Sequence, residues 1–441
     1  MNKNRLKGIK ESALLTKKFK RKLKFCFNSC FHENEALLLC WGSMAREEMG
    51  HFSDLDLILL FSNKTNNKEI RVFFDCLSKK FKNRIDLLEA YDLKTLAKIG
   101  SIDGTDRQAI LLARPVCGSS KLRKNFSNLQ NTFRNQTREN TREIIHTWIS
   151  LFSVSKNIYT NKINNLKFGR GFLRHIIFIF LIVKLFFDKK NNIWSTQKAI
   201  PIFCKSEMTD DNINTIYLTS LNFILELRNA IQFFMQKESY YIDDILLKEM
   251  TKKYKFDIDS LKRKLRDNQS SIIFLEKDIS GVISKLVSKN YGSEFQKHAN
   301  LLNILIDFEK EISLDIEKTI MDTKLEILLI LLAHRSKNSR TLEKLRVDNM
   351  KNWYIIHGIA INPHSNPETL LKLIKPEDKI KNHVYKLYYG FAWRNIRLYV
   401  AKNKMADKKT LNYIINHKNS RQMDRDTAKY SLASKKLIYV G

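Results

Sequence analysis

Two aspartates, Asp54 and Asp56, stand one residue apart at the start of the apolar run Leu55–Phe61. Before them, Gly42-Ser43 follows a second apolar run, Ala36-Leu37-Leu38-Leu39-Cys40. Both runs have the length and composition of buried strands, and the first ends close to a glycine. Side chains alternate along a strand, so Asp54 and Asp56 project from the same face. Two carboxylates side by side on an apolar strand are costly unless a cation neutralises them. Mg2+ suits such a pair, because it takes one or two carboxylates together with phosphate oxygens. The Gly42-Ser43 turn offers backbone N–H groups and a hydroxyl to a phosphate. Together these features point to phosphoryl or nucleotidyl transfer. The alternative is a Ser-Asp turn leading into an ordinary strand.

The fuller string, Gly42-Ser43-x-Ala45-Arg46-x-Glu48 followed by Ser53-Asp54-Leu55-Asp56-Leu57, resembles the nucleotidyltransferase superfamily. Within it the string looks most like the PII-protein uridylyltransferases. Small antitoxin-type nucleotidyltransferases and aminoglycoside adenylyltransferases share a similar string. The resemblance implies a third carboxylate on a later strand. In Arg84-Ile85-Asp86-Leu87-Leu88-Glu89, Asp86 has the apolar flanks and is expected to fill that role. Glu89 is the fallback; three positions apart on a regular strand, the two acids face opposite sides. In the implied site, Asp54, Asp56 and Asp86 hold two Mg2+ ions while Gly42 and Ser43 orient a nucleoside triphosphate. Arg46 either neutralises its β or γ phosphate or forms a salt bridge. Two ions about 3.5–4 Å apart can hold both the attacking and the leaving oxygen of an in-line displacement. The implied reaction is attack of an acceptor hydroxyl on the α-phosphorus, expelling pyrophosphate.

Further segments extend the likeness over roughly residues 30–250. Asp103–Gly118 reads as a helix ending before Pro115, since a residue preceding proline avoids the helical region. It is similar to the Leu-Leu-x-Ala-Arg-x-x-x-Gly stretch of the same uridylyltransferases. Asn165, Lys167, Gly171, Leu173 and Arg174 match their Asn-x-Lys-x-x-x-Gly-Gly-Leu-Arg-Asp, whereas Phe172 and His175 depart from it. A glycine-containing loop with Lys167, Arg170 and Arg174 opening a helix suits an anion, or else caps a buried helix. Ile176–Phe187 is apolar almost all round, yet shorter than the roughly 20 residues of a membrane span, and predicts the central helix of a bundle. Leu221–Phe234 resembles another helix of the family, with Gln232 where histidine is usual. None of the ten histidines precedes an aspartate, so the His-Asp hydrolase domain of the bifunctional members is not indicated. Nothing resembles their C-terminal regulatory domains either.

The last third of the chain is organised differently. Leu332-Ala333-His334-Arg335-Ser336-Lys337-Asn338, Ile359-Ala360-Ile361-Asn362-Pro363 and Val400-Ala401-Lys402-Asn403-Lys404 each lead to a leucine-bearing helix pattern. These stretches look like the leucine-rich repeat variant family, whose stacked helical units leave an extended surface for a partner. A simple helical domain is the alternative.

At 441 residues with 43% apolar content, five prolines and thirteen glycines, the chain is globular rather than collagenous or linker-rich. Six cysteines without paired spacing imply neither zinc nor disulfides and predict a reduced cytoplasmic protein. No apolar stretch of signal length precedes Cys26. The net charge of +32 invites RNA as a partner. The densest cluster, Lys17–Lys24, reads mainly as a solvated helix face. The expectation is an α+β chain: a small mixed-sheet nucleotidyltransferase core (1–120), an all-α bundle (121–320) and a helical repeat region (321–441). Its expected work is nucleotide transfer to a protein hydroxyl. A template-independent RNA nucleotidyltransferase and a non-catalytic repeat adaptor are the alternatives.

Overall fold

The computed structural model describes residues 7–31, 36–62, 65, 67–81, 84–102, 104–158, 165–167, 172–188, 192–206, 211–240, 242–254, 257–306, 310–350, 352–375, 396–417 and 420–438. The chain forms two compact units, Met1–Asn140 with Val154–Ile283, and Thr141–Ser153 with Ser284–Gly441. The fold is α+β, as the composition of runs predicts: many helices and one small mixed sheet.

The first unit holds the sheet. Strands β1 (Ala36–Cys40), β2 (Leu55–Phe61), β3 (Ile85–Tyr91) and β4 (Arg114–Gly118) lie in the order β3-β2-β1-β4. β1 is antiparallel to both neighbours, and β3 runs parallel to β2. Ala36, Leu38 and Cys40 of β1 share one buried face with Leu55, Leu57 and Leu59 of β2. The helix Lys7–Asn28 packs there through Phe19, Leu23, Cys26 and Phe27, and Asn67–Phe81 through Phe73, Leu77 and Phe81. These residues recur at helical spacing, so each helix buries one stripe and leaves most of its lysines outside.

The helix Gly104–Leu112 stops before Pro115, as expected, and the next residues form β4. Proline lacks the N–H that a central strand needs, and β4 tolerates it because it is an edge strand with a register shift beside it. The helix Leu173–Phe186 is buried nearly along its whole length. Its Lys184 is buried too: Nζ lies 2.7 Å from Asp188 Oδ2, donates to the Ile193 carbonyl at 3.2 Å and sits over the Trp194 ring. Burial pulls that amine down to about 8. Among the described residues no helix is long and apolar enough to cross a membrane.

In the second unit, helices come in pairs. Glu326–Arg335 is followed by Ser339–Asp348, Trp353–Ile361 by Pro367–Ile374, and a helix over 396–402 by Lys408–Asn416. The second helix of each pair starts on a side-chain cap: Asn338 to Arg340 N, Asn366 to Thr369 N and Asp407 to Thr410 N. Two buried asparagines repeat one bonding pattern. Asn362 Nδ2 donates to the Ala333 and Ser336 carbonyls, and Asn403 Nδ2 to those of Ala360 and Asn362. Each Oδ1 accepts from the N–H two residues on, His364 and Met405. Each asparagine therefore ties its pair to the pair before.

Replacing Asn362 with alanine removes the amide donor from both carbonyls. The expected loss is about 1–3 kcal/mol, read as a lower urea midpoint for the chain, whereas exposed Lys344→Ala changes stability by about 0.5 kcal/mol or less.

Candidate active site

The turn that joins β1 to β2 is built around a close approach. Gly42 has φ +61°, the left-handed region that penalises a side chain, and a Cβ there would run into Asp56 Oδ2. Trp41 N donates to the Asp56 carbonyl at 3.1 Å, holding the turn against the first residues of β2. Gly42–Ala45 then forms a single helical turn. Asp54 precedes β2 and Asp56 is its second residue; both are partly exposed. Leu55, Leu57 and Leu59 face the core, so the two carboxylates share the opposite face with Ile58.

The loop from Arg46 to Ser53 is fastened by side chains from distant helices. Arg228 is fully buried: Nη1 donates to the Glu48 carbonyl at 2.7 Å and Nη2 to Ser12 Oγ at 3.1 Å. Nε and Nη2 also donate to Asn229 Oδ1. Gln232 Oε1 accepts from Phe52 N at 3.0 Å, and Thr16 Oγ1 accepts from Met49 N at 3.2 Å. Glu48 Oε1 accepts from Thr196 N, and its Oε2 pairs with Arg46 Nε at 2.8 Å. The helices Lys7–Asn28 and Asp211–Met235 thereby set where β2 begins.

Lys167 brings a third segment to the carboxylates. Its Nζ lies 3.9 Å from Asp54 Oδ2, 3.5 Å from Glu238 Oε1 and 4.8 Å from the centre of the Tyr240 ring. The Leu166 N–H bonds to the Tyr240 carbonyl at 2.8 Å, which fixes this approach. Glu238 binds a proton more readily than an ordinary carboxylate, first because of partial burial and then because of the Asp54 charge. Burial pushes the neighbouring Cys40 thiol up to about 11, so it stays protonated and is no nucleophile.

The structure thus gathers Gly42, Asp54, Asp56 and Lys167. Ser43 is in the turn, but its hydroxyl donates to Met49 Sδ at 3.2 Å. Arg46 lies against Glu48, the salt bridge of the two readings that the sequence left open. Arg174 is exposed in the first turn of the helix Leu173–Phe186, its N–H on the Lys167 carbonyl at 3.3 Å. The loop 168–171, with Arg170 and Gly171, lies outside the described residues, as does the side chain of Asp86. The backbone of Asp86 occupies the irregularity between the pairs Leu55↔Ile85 and Asp56↔Leu87, outside regular alternation. That extra residue returns Glu89 to register with Ile58, hence to the face of Asp56, where it accepts from Tyr91 Oη. Glu238, Tyr240 and Arg228 escape sequence reading. The one signal for them is a charged Arg228 within the largely apolar stretch Ile224-Leu225-Glu226-Leu227-Arg228-Asn229-Ala230-Ile231.

No family model matches the chain, and no curated protein matches it.

Arg228→Leu leaves the Glu48 carbonyl and the Ser12 hydroxyl without their guanidinium donor. The expected destabilisation is about 3 kcal/mol, with Arg228→Lys milder because it keeps the charge but loses the fork. Thermal unfolding of the two variants beside the parent chain checks the order.

Proposed function

We propose that the chain is a metal-dependent nucleotidyltransferase, with the core and reaction of that superfamily. It moves a nucleoside monophosphate from a nucleoside triphosphate to a hydroxyl on a protein. The observation that carries this reading is the pair Asp54 and Asp56 on one strand face, set against a Gly42 that has no room for a side chain. Such a partly exposed pair of hard oxygen donors beside the glycine turn fits Mg2+. Asp54 and Asp56 would hold two ions, with Asp86 or Glu89 as the third carboxylate. When bound, the ions would activate the acceptor hydroxyl and stabilise the charge that develops on the leaving pyrophosphate.

The chain's own groups do the positioning. Gly42 lets the triphosphate approach the backbone next to Asp56. Ser43 reaches a phosphate by exchanging a thioether, a weak acceptor, for a stronger one. Lys167 sets a positive charge beside Asp54, held there by Glu238 and Tyr240. Arg46 acts indirectly, by pairing with Glu48 and stiffening the loop. A cytoplasmic setting is proposed from the six cysteines, whose spacing is unpaired. The helix pairs of the second unit would choose the protein target.

One observation favours RNA as the acceptor instead. A groove of about 750 Å³ along the helix Lys7–Asn28 and β4 is lined by Lys10, Lys17, Lys20, Arg21, Lys24 and Arg114, with Glu47 paired to Arg114 and Lys20. Such a row of cations suits a phosphate backbone.

Incubating the protein with each α-labelled nucleoside triphosphate, Mg2+ and a cell extract separates the readings. The expected label survives nuclease, is lost to protease and is absent with Asp54→Ala/Asp56→Ala. Label removed by nuclease transfers the assignment to RNA, and label indifferent to the aspartates refutes this active site.

A further inference from the structure

Three buried histidines meet in the second unit. His146 is on the helix segment Thr141–Ser153, His334 on Glu326–Arg335 and His357 on Trp353–Ile361. Their exposures are 8, 5 and 5%, and one ring nitrogen from each lies within 4.8 Å of the others. His146 Nε2 and His357 Nδ1 are 2.8 Å apart, so one donates to the other. Neither ring nitrogen of His334 has a hydrogen-bond partner. A buried polar ring with both nitrogens unanswered is costly, and burial is where apolar side chains would serve packing better.

We infer that His146, His334 and His357 form a site for one divalent transition-metal ion, Zn2+ foremost. Imidazole nitrogens suit Zn2+, and three of them leave a fourth position for water. The ring spacing supports the assignment. Zn–N bonds of about 2.0–2.1 Å in a tetrahedron place ligating ring centres about 5 Å apart. The observed separations are 4.6 Å for His146–His357, 5.6 Å for His146–His334 and 5.8 Å for His334–His357. Coordination requires only that side chains close by fractions of that distance, with the 2.8 Å pair opening.

The surroundings are shaped for His334. Gly358, next to His357, has no side chain, and a Cβ there would lie 2.7 Å from His334 Cδ2 and 3.0 Å from its Nε2. Any other residue at 358 would displace the ring. Burial holds all three imidazoles in the neutral, ligating form, His146 down to about 3. Glu143, buried one turn before His146, accepts from Tyr354 Oη at 2.9 Å and supplies negative charge against the incoming cation.

The test uses the untagged full chain, refolded with Zn2+ or Co2+ and dialysed exhaustively. Elemental analysis is expected to find about one zinc per chain, and the cobalt form to show the visible ligand-field bands of nitrogen ligation. Zinc in a hundredfold excess over its Kd raises the thermal midpoint of the metal-free chain by about 5–10 °C, and Mg2+ does not. His334→Leu, apolar and of similar size, keeps the circular-dichroism spectrum but loses the metal. A folded parent chain that retains no zinc, shows no cobalt bands and gains no thermal stability overturns the site. So does a folded His334→Leu variant that binds metal undiminished.

Discussion

A buried guanidinium is the central anchor of the loop behind the candidate site. Arg228 comes from the helix Asp211–Met235, far along the chain from the turn it serves, and its donors are spent on the Glu48 carbonyl, Ser12 and Asn229. An arginine in this position is expensive to desolvate, and burial lowers its affinity for its proton. It is stable there because its partners are fixed backbone and side-chain oxygens on three different segments. The loop between the Gly-Ser turn and the Asp-x-Asp pair has no regular secondary structure beyond its first turn, so it depends on such outside partners. The close approach of Gly42 and Asp56 is set locally by the Trp41 N–H on the Asp56 carbonyl, and the outside partners hold the rest of the loop behind it.

The electrostatics divide along the same line. Away from the carboxylate pair, charges are met by fixed partners: Arg46 by Glu48, Lys184 by Asp188 and Arg228 by neutral oxygens. In front, Asp54 and Asp56 are partly exposed, and the Lys167 ammonium beside Asp54 stands 3.9 Å away rather than in tight contact. A long, half-solvated ion pair contributes little to stability. The first set is therefore framework, and the second is where added positive charge gains most. Glu238 illustrates the tension: partial burial first, and then the Asp54 charge, raise its carboxyl above its ordinary value even though Lys167 is within reach. At the mouth of β2, the carboxylates of Asp54 and Glu238 lie 3.9 and 3.5 Å from the one Lys167 ammonium.

Legibility from sequence falls with distance along the chain. The strands β1 and β2 are readable to the residue, because each is a short apolar run bounded by polar or turn residues. The helix Leu173–Phe186 is readable from the near-continuous apolarity of Ile176–Phe187, interrupted only by Lys184. β4 is not, because Pro115 argues locally against a strand and only the edge position in the finished sheet permits it. The choice of Asp86 over Glu89 rests on apolar flanks, which carry no information on register, and the shift between Leu55 and Asp56 sets Glu89 opposite Ile58. Arg228, Glu238 and Tyr240 reach the site through contacts across long stretches of chain, where no local period carries information. The basic cluster Lys17–Lys24 is legible as a helix face, but the groove beside β4 is not.

The second unit shows how buried polar side chains distinguish architecture from binding. Asn362 and Asn403 are buried, yet each spends its amide on two carbonyls of the preceding pair and its oxygen on a nearby N–H. Their chemistry is complete within the chain, and they recur because the helix pairs recur. The sequence signal of the repeat is this asparagine close to an alanine. His334 is as deeply buried but leaves both ring nitrogens without a hydrogen bond, and it follows no repeat. A stacked helical array could fill the same volume with leucine at no polar cost. That a histidine is there instead, facing two more from different helices and accommodated by a glycine, is the pattern expected when the missing partner is a ligand and not another residue of the chain.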